Sequence, residues 1–180
     1  YIQNSVGGFN KKEIKELSQF NTFEDGAVAF FDADGDKDLD LLITAAGNNA
    51  IPGSRELQHR LFINDGKGNF AINISAFPAN QDNIGTIVVN DFDNDGDLDL
   101  AVAYETNKNT NGVQIFENKG GLNFVAGQVI ETSFNDMQFR EFELIDVNKD
   151  GYMDIVTHPF HNGILFRTSN GVILNNNILI

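Results

Sequence analysis

The 180-residue chain has no cysteine, so disulfides neither brace its fold nor point to a compartment. Basic residues are few: 12 Lys and Arg stand against 26 Asp and Glu, for a formal charge of −14. With no basic patch to displace counterions from phosphate, nucleic acid is excluded as a partner. No apolar run approaches the roughly 20 residues of a membrane-spanning helix, so no membrane span is expected. The chain has no initiator Met and no signal peptide, and Tyr1 already lies within a repeat, so we expect a processed or excised piece of something longer.

What the chain has in abundance is carboxylate on alternate positions. Three segments place Asp or Asn at every second residue and then turn at once apolar: Asp32, Asp34, Asp36, Asp38 and Asp40 before Leu41; Asp91, Asp93, Asp95, Asp97 and Asp99 before Leu100; Asp146, Asn148, Asp150 and Asp154 before Ile155. Their first residues are 59 and 55 positions apart, a regularity that a solvated acidic tail has no reason to keep. Thirteen of the 26 acidic side chains lie in these loops. Packed this closely, they would repel one another unless a cation sat among them. Oxygen donors with no Cys or His beside them suit a hard ion, and six or seven oxygens per loop suit Ca²⁺ better than octahedral Mg²⁺. About three Ca²⁺ ions are therefore expected, which would bring the charge to about −8.

By position, side chains 1, 3, 5 and 9 and the carbonyl of residue 7 are the expected ligands. Loop one offers Asp32, Asp34, Asp36 and Asp40 with the carbonyl of Asp38, and loop two Asp91, Asp93, Asp95 and Asp99 with that of Asp97. Loop three offers Asp146, Asn148, Asp150 and Asp154 with the carbonyl of Tyr152. Position 6 must turn toward the ion, which favours glycine; Gly96 and Gly151 fit and Lys37 does not. Loop one carries its glycine at position 4, Gly35, so its turn is expected to be distributed differently. An EF-hand needs a bidentate Glu at position 12, where this chain has Ile43, Val102 and Thr157. The aliphatic residues after each loop predict buried strands instead of helices.

A second landmark recurs in phase with the first. An apolar strand, an Asn, a glycine turn and a Phe follow one another at Asn4, Gly7, Gly8 and Phe9, at Asn64, Gly66, Gly68 and Phe70, and at Asn118, Gly120, Gly121 and Phe124. A weaker copy has Asn170 and Gly171. Asn and Gly supply the positive φ of tight hairpins. The unit is therefore strand, acidic loop, strand, variable loop, strand, glycine turn, strand, for example 27–31, 41–45, 60–63 and 70–74 around loop one. Four strands every 54 to 60 residues predict an all-β chain of β-propeller blades, each a four-stranded antiparallel sheet. We expect about three full blades and a leading hairpin: 1–20 as the hairpin of a preceding blade, then blades at 21–80, 81–135 and 136–180. Blades stack face to face, so 27–31, 86–89 and 142–145 are expected to be buried on both sides. The segment 11–20 reads either as a helix with Ile14, Leu17 and Phe20 on one face or as an outer strand; its place after a hairpin favours the strand.

These loops, followed by an Asn-x-Gly-x-Gly-x-Phe hairpin, resemble FG-GAP or VCBS repeats, the blades of propellers like those of integrin α-subunits. Residues 24–38 with 56–68 are most similar to the bacterial and cartilage-acidic-protein branch. The resemblance implies a seven-bladed ring, so further blades would come from the same parent chain or from other copies. An open wedge would leave apolar faces at both ends, and a partner surface is expected on each terminal blade.

In propellers, function resides in the rim loops. The variable loops, 47–59 with Asn48, Asn49, Pro52, Arg55 and Glu56, 105–112 with Asn107, Lys108, Asn109 and Asn111, and 158–163, should share one face and suit hydrogen bonding to a protein or glycan ligand. Of the histidines, His59 lies near Glu56, while His158 and His161 flank Pro159 and Phe160. No nucleophile elbow, phosphate loop or zinc spacing accompanies them, so no enzyme activity is expected. Loops of this kind match the weaker calcium affinities of extracellular modules, which predicts a secreted or cell-surface location. The expected function is a calcium-stabilised binding or adhesion module. The alternative is a non-catalytic propeller attached to, or cut from, a secreted polysaccharide-active enzyme.

Overall fold

A computed structural model describes residues 1–47, 50–105, 111–131, 142–147, 149–151, 153–157 and 165–167. Among the described residues the chain is all-β apart from two short 3₁₀ helices, Lys15–Phe20 and Arg55–Leu57. A hairpin of β1 (Ile2–Gln3) and β2 (Phe9–Asn10) comes first. Two four-stranded antiparallel meanders follow: β3 (Asp25–Phe31), β4 (Asp40–Ala45), β5 (Arg60–Asn64) and β6 (Phe70–Asn73), then β7 (Asn83–Asn90), β8 (Asp99–Glu105), β9 (Asn111–Asn118) and β10 (Phe124–Glu131). The last sheet has three strands among the described residues, β11 (Phe142–Ile145), β12 (Asp154–Thr157) and β13 (Leu165–Arg167); residues 168–180 lie outside them. Each acidic loop joins the first and second strands of its sheet, and a strand follows it directly, as the apolar runs required.

The sheets stack, and their second strands show why. Along β4, Leu42 faces one core while Leu41 and Ile43 face another; along β8, Leu100, Val102 and Tyr104 point one way and Ala101 and Ala103 the other. A strand buried on both faces has no polar side to alternate, which is the pattern seen in these runs. The core between the two complete sheets includes Phe31, Leu42, Leu61, Leu100, Phe116 and Phe124, with Phe77 stacked on Phe124 at 4.6 Å. The first strands lie side by side, β3 against β7 and β7 against β11, as the inner strands of successive blades do.

Where β3 meets β7 the backbones nearly touch. A Cβ on Gly26 would lie 2.1 Å from the carbonyl oxygen of Ile84, so only glycine fits. Gly26 sits at a bulge in β3, and Gly85 occupies the same place in β7, each six residues before its acidic loop.

Two expectations are corrected. Residues 11–20 do not form an outer strand: β2 ends at Asn10, and Lys15–Phe20 is a 3₁₀ helix. A three-residue period eclipses Leu17 and Phe20 on one face, and that face covers the outer side of the first sheet, where Phe20 packs edge-on to Phe62 and Phe23. Of the first strands, only 86–89 is covered on both sides, with Ile87 and Val89 against one core and Val88 against the next; 27–31 and 142–145 are covered on one side only, Glu143 and Ile145 being exposed. Val28 and Phe30 of β3 are 56% and 57% exposed, on the face that the leading hairpin leaves uncovered.

Candidate metal centre

The acidic loops share one backbone. Positions 4 and 6 both take positive φ in all three: Gly35 at 83° and Lys37 at 76°, Asn94 at 60° and Gly96 at 97°, Lys149 at 60° and Gly151 at 91°. The expectation that loop one distributes its turn differently is thus corrected. Every loop needs two left-handed residues, one of them glycine, and loop one merely exchanges which position carries it.

This double turn points successive backbone N–H groups inward, where the carboxylates of positions 1 and 9 gather them. The N–H of position 2 donates to Oδ2 of position 9 in each loop, Ala33 to Asp40, Phe92 to Asp99 and Val147 to Asp154, always at 2.8 Å. The N–H of position 6 donates to Oδ2 of position 1, Lys37 to Asp32 at 2.9 Å, Gly96 to Asp91 at 3.0 Å and Gly151 to Asp146 at 2.9 Å. Asp40, Asp99 and Asp154 are fully buried. The remaining oxygens of Asp40 and Asp99 accept from the hairpin, from the N–H of Asn64 at 2.9 Å and of Asn118 at 2.8 Å.

Positions 1, 3 and 9 converge. Asp32, Asp34 and Asp40 place carboxylate oxygens within 4.8 Å of one another, and so do Asp91, Asp93 and Asp99. One Ca²⁺ at the usual ~2.3–2.6 Å from each ligand reaches oxygens separated by up to about 5 Å, so the spacing fits. Asp36 and Asp95 stand outside these triads, exposed, with Oδ1 accepting the N–H of Asp38 and Asp97. In loop three, Asp146 is half-buried, Asp150 exposed and Asp154 buried; Asn148 and Tyr152 lie outside the described residues.

The electrostatics of the triads call for positive charge. Burial raises the pKa of Asp40 and Asp99; the bonds from Asn64 and Ala33, and from Asn118 and Phe92, oppose the rise, and the neighbouring carboxylates of loops one and two add to it. Asp38 has a buried Oδ1 without a partner, and desolvation followed by the charge of Asp36 pushes its carboxyl up. Part of the demand in loop two is met from within, since Lys119 reaches Asp93 at 3.2 Å and Glu117 at 2.7 Å. An all-oxygen donor set with a buried acceptor to spare fits a hard divalent ion.

The hairpin asparagines act as turn residues: Oδ1 of Asn4, Asn64 and Asn118 accepts from Gly8, Gly68 and Gly120. Their second task, presenting N–H groups to Asp40 and Asp99, was not read from the sequence; the signal was the constant phase between acidic loop and Asn. On the rim, Thr22, Glu24, Ala46, Ala50, Ile51, Ser54 and Glu56 line a cleft of about 360 Å³. Arg55 is committed to the fold, stacked with Arg60 over Phe20 and Phe23. His59 is buried away from any site, edge-on to Phe77 and Phe116. Asn48, Asn49, Asn107, Lys108, Asn109, His158, His161, Asn170 and Gly171 lie outside the described residues.

Antiparallel four-stranded sheets stacked through their inner strands, each with an acidic loop after its first strand, define a propeller-type repeat module. Residues 91–157 match the family model of the FG-GAP-like repeat, from the first residue of loop two to the end of β12. The resemblance of the acidic loops to that family is therefore shown over this segment. No curated protein matches the chain. Among the described residues, no helix is long and apolar enough to cross a membrane.

Proposed function

We propose that this chain is a calcium-stabilised, non-catalytic binding module of the extracellular space, built of propeller blades and engaging a protein or glycan through its loop face. One observation carries the calcium reading: the same loop backbone recurs three times and gathers the carboxylates of positions 1, 3 and 9 around one point in the first two loops. Asp32, Asp34, Asp40, Asp91, Asp93 and Asp99 would hold the ions, with Asp36, Asp38, Asp95 and Asp97 beside them and loop three supplying a third site. The ion would supply charge neutralisation and nothing chemical. The cleft beside Glu24 and Glu56, open on the loop face and carrying hydroxyls as well as carboxylates, supports recognition of a polar ligand there.

Calorimetric titration with CaCl₂ tests the reading. Binding of two to three ions is expected, with dissociation constants of about 0.1–1 mM, as in extracellular modules; no binding at ~10 mM, about ten times the weakest of these values, would refute it. A glycan array and a protein pull-down on the calcium-loaded chain then separate the two ligand classes.

A further inference from the structure

A continuous path of hydrogen bonds joins the two complete carboxylate triads. Asp40 in loop one accepts the N–H of Ala33 at 2.8 Å. The carbonyl of Ala33 accepts from Nδ2 of Asn118 at 3.2 Å, across the boundary between sheets and 85 residues along the chain. The backbone N–H of Asn118 donates to Asp99 of loop two at 2.8 Å. All four residues are buried, with exposures of 0% to 3%, where such bonds are strong and a broken one goes uncompensated by water. The first complete sheet provides an internal comparison. Asn64 holds the same hairpin position and donates its N–H to Asp40 in the same way, but its amide turns back to Leu39 of its own loop at 3.2 Å. Before the sheet of Asn64 the described chain has the β1–β2 hairpin and no acidic loop for that amide to reach, so among the described residues the cross-sheet bond is seen at Asn118.

We propose that the first two ion sites are energetically coupled and that Asn118 is the positioning residue that couples them; the inference rests on the calcium reading above. An ion in loop one fixes Asp40, and with it the Ala33 segment. That fixes the amide of Asn118 and hence the N–H that orients Asp99. The second ion then binds to a carboxylate whose ordering has already been met, which is positive cooperativity through shared rigid contacts.

The test follows the backbone amide resonance of Gly96, inside loop two, during calcium titration of the ¹⁵N-labelled chain. Four proteins form a cycle: the parent, Asp34→Ala to disable loop one, Asn118→Ala, and the double variant. Disabling loop one should weaken loop two about fivefold or more in the parent background and less than about twofold when Asn118 is absent, since typical couplings run from 5- to 150-fold. Asn64→Ala, which loses the corresponding turn bond but no cross-sheet bond, should keep the full coupling. Should Asn118→Ala fail to fold, Asn118→Ser retains a turn acceptor on a side chain too short to reach Ala33, and takes its place in the cycle. Equal weakening in both backgrounds overturns the role of Asn118, and no weakening in a parent whose Gly96 resonance still titrates overturns the coupling; the calcium reading stands in either case. A Gly96 resonance in the parent that never responds to calcium overturns the calcium reading and the coupling with it.

Discussion

Lys37 holds a φ of 76° where its counterparts in the other loops are glycines. The left-handed region costs an L-residue about 1–2 kcal/mol, partly offset by the backbone freedom a glycine would lose, so Lys37→Gly should stabilise the protein by up to about 1 kcal/mol in urea unfolding. A loss of stability would mean that the lysine side chain contributes there. The two aspartates Asp95 and Asp99 separate a metal role from a structural one. Asp99, itself fully buried, accepts two N–H bonds at 2.8 Å, from a buried Asn118 and a half-buried Phe92, so Asp99→Ala should cost about 2–4 kcal/mol even in EDTA. Asp95 is exposed; Asp95→Ala should stay within about 0.5 kcal/mol in EDTA and lose stability relative to the parent once calcium is added. Equal behaviour of Asp95→Ala in both buffers would remove position 5 from the ligand set. The spacing of the carboxylates was legible because each of these positions carries its own side-chain oxygen. The shared turn was not, because two left-handed positions can be filled by Gly, Asn or Lys in either order.

Among the elements, the contact between β3 and β7 depends on Gly26. Gly26→Ala drives a methyl group into the Ile84 carbonyl and should destabilise by about 1–3 kcal/mol, whereas Gly85→Ala, at the equivalent place with open space around it, should cost less than about 1. Equal costs would mean that the first strands do not approach as described. His59 lies between the sheets, its pKa pushed down to about 4 by burial and then by the charge of Arg60. The unfolded chain protonates this imidazole near 6.5 while the folded chain stays neutral, so stability is complete above that pH and falls as acid is added, by up to about 3 kcal/mol between pH 6.5 and 4. Urea unfolding of His59→Phe across that window should show a shallower decline than the parent; an unchanged slope would assign the acid sensitivity elsewhere. The strands were readable because loop and hairpin punctuate them at fixed distances. Lys15–Phe20 was misread because a repeat frame says where a strand belongs but not which side chains cover a sheet face. There the aromatic face of Phe20, with Arg55 and Arg60 stacked on it, outweighed the frame.

On the scale of the whole molecule, the first and last described sheets each carry exposed apolar residues, Val28 and Phe30 on the first and Ile145, 53% exposed, on the last. The chain's other burden is charge, −14 in formal terms, with three carboxylates drawn together in each of two triads. At ~10 mM calcium, about ten to a hundred times the expected dissociation constants, ions bound only by the folded chain contribute about 1.4–2.7 kcal/mol each. For a chain of this size 1 kcal/mol moves the midpoint by about 2–4 °C, so two filled sites should raise it by on the order of 10 °C. The most direct measurement is the thermal midpoint in CaCl₂ at ~10 mM, a concentration that saturates sites of extracellular strength, against the same buffer with EDTA. The repeated loops predict that calcium raises the midpoint by on the order of 10 °C and that magnesium at equal concentration does much less. An identical midpoint in calcium and in EDTA would contradict the account at its centre.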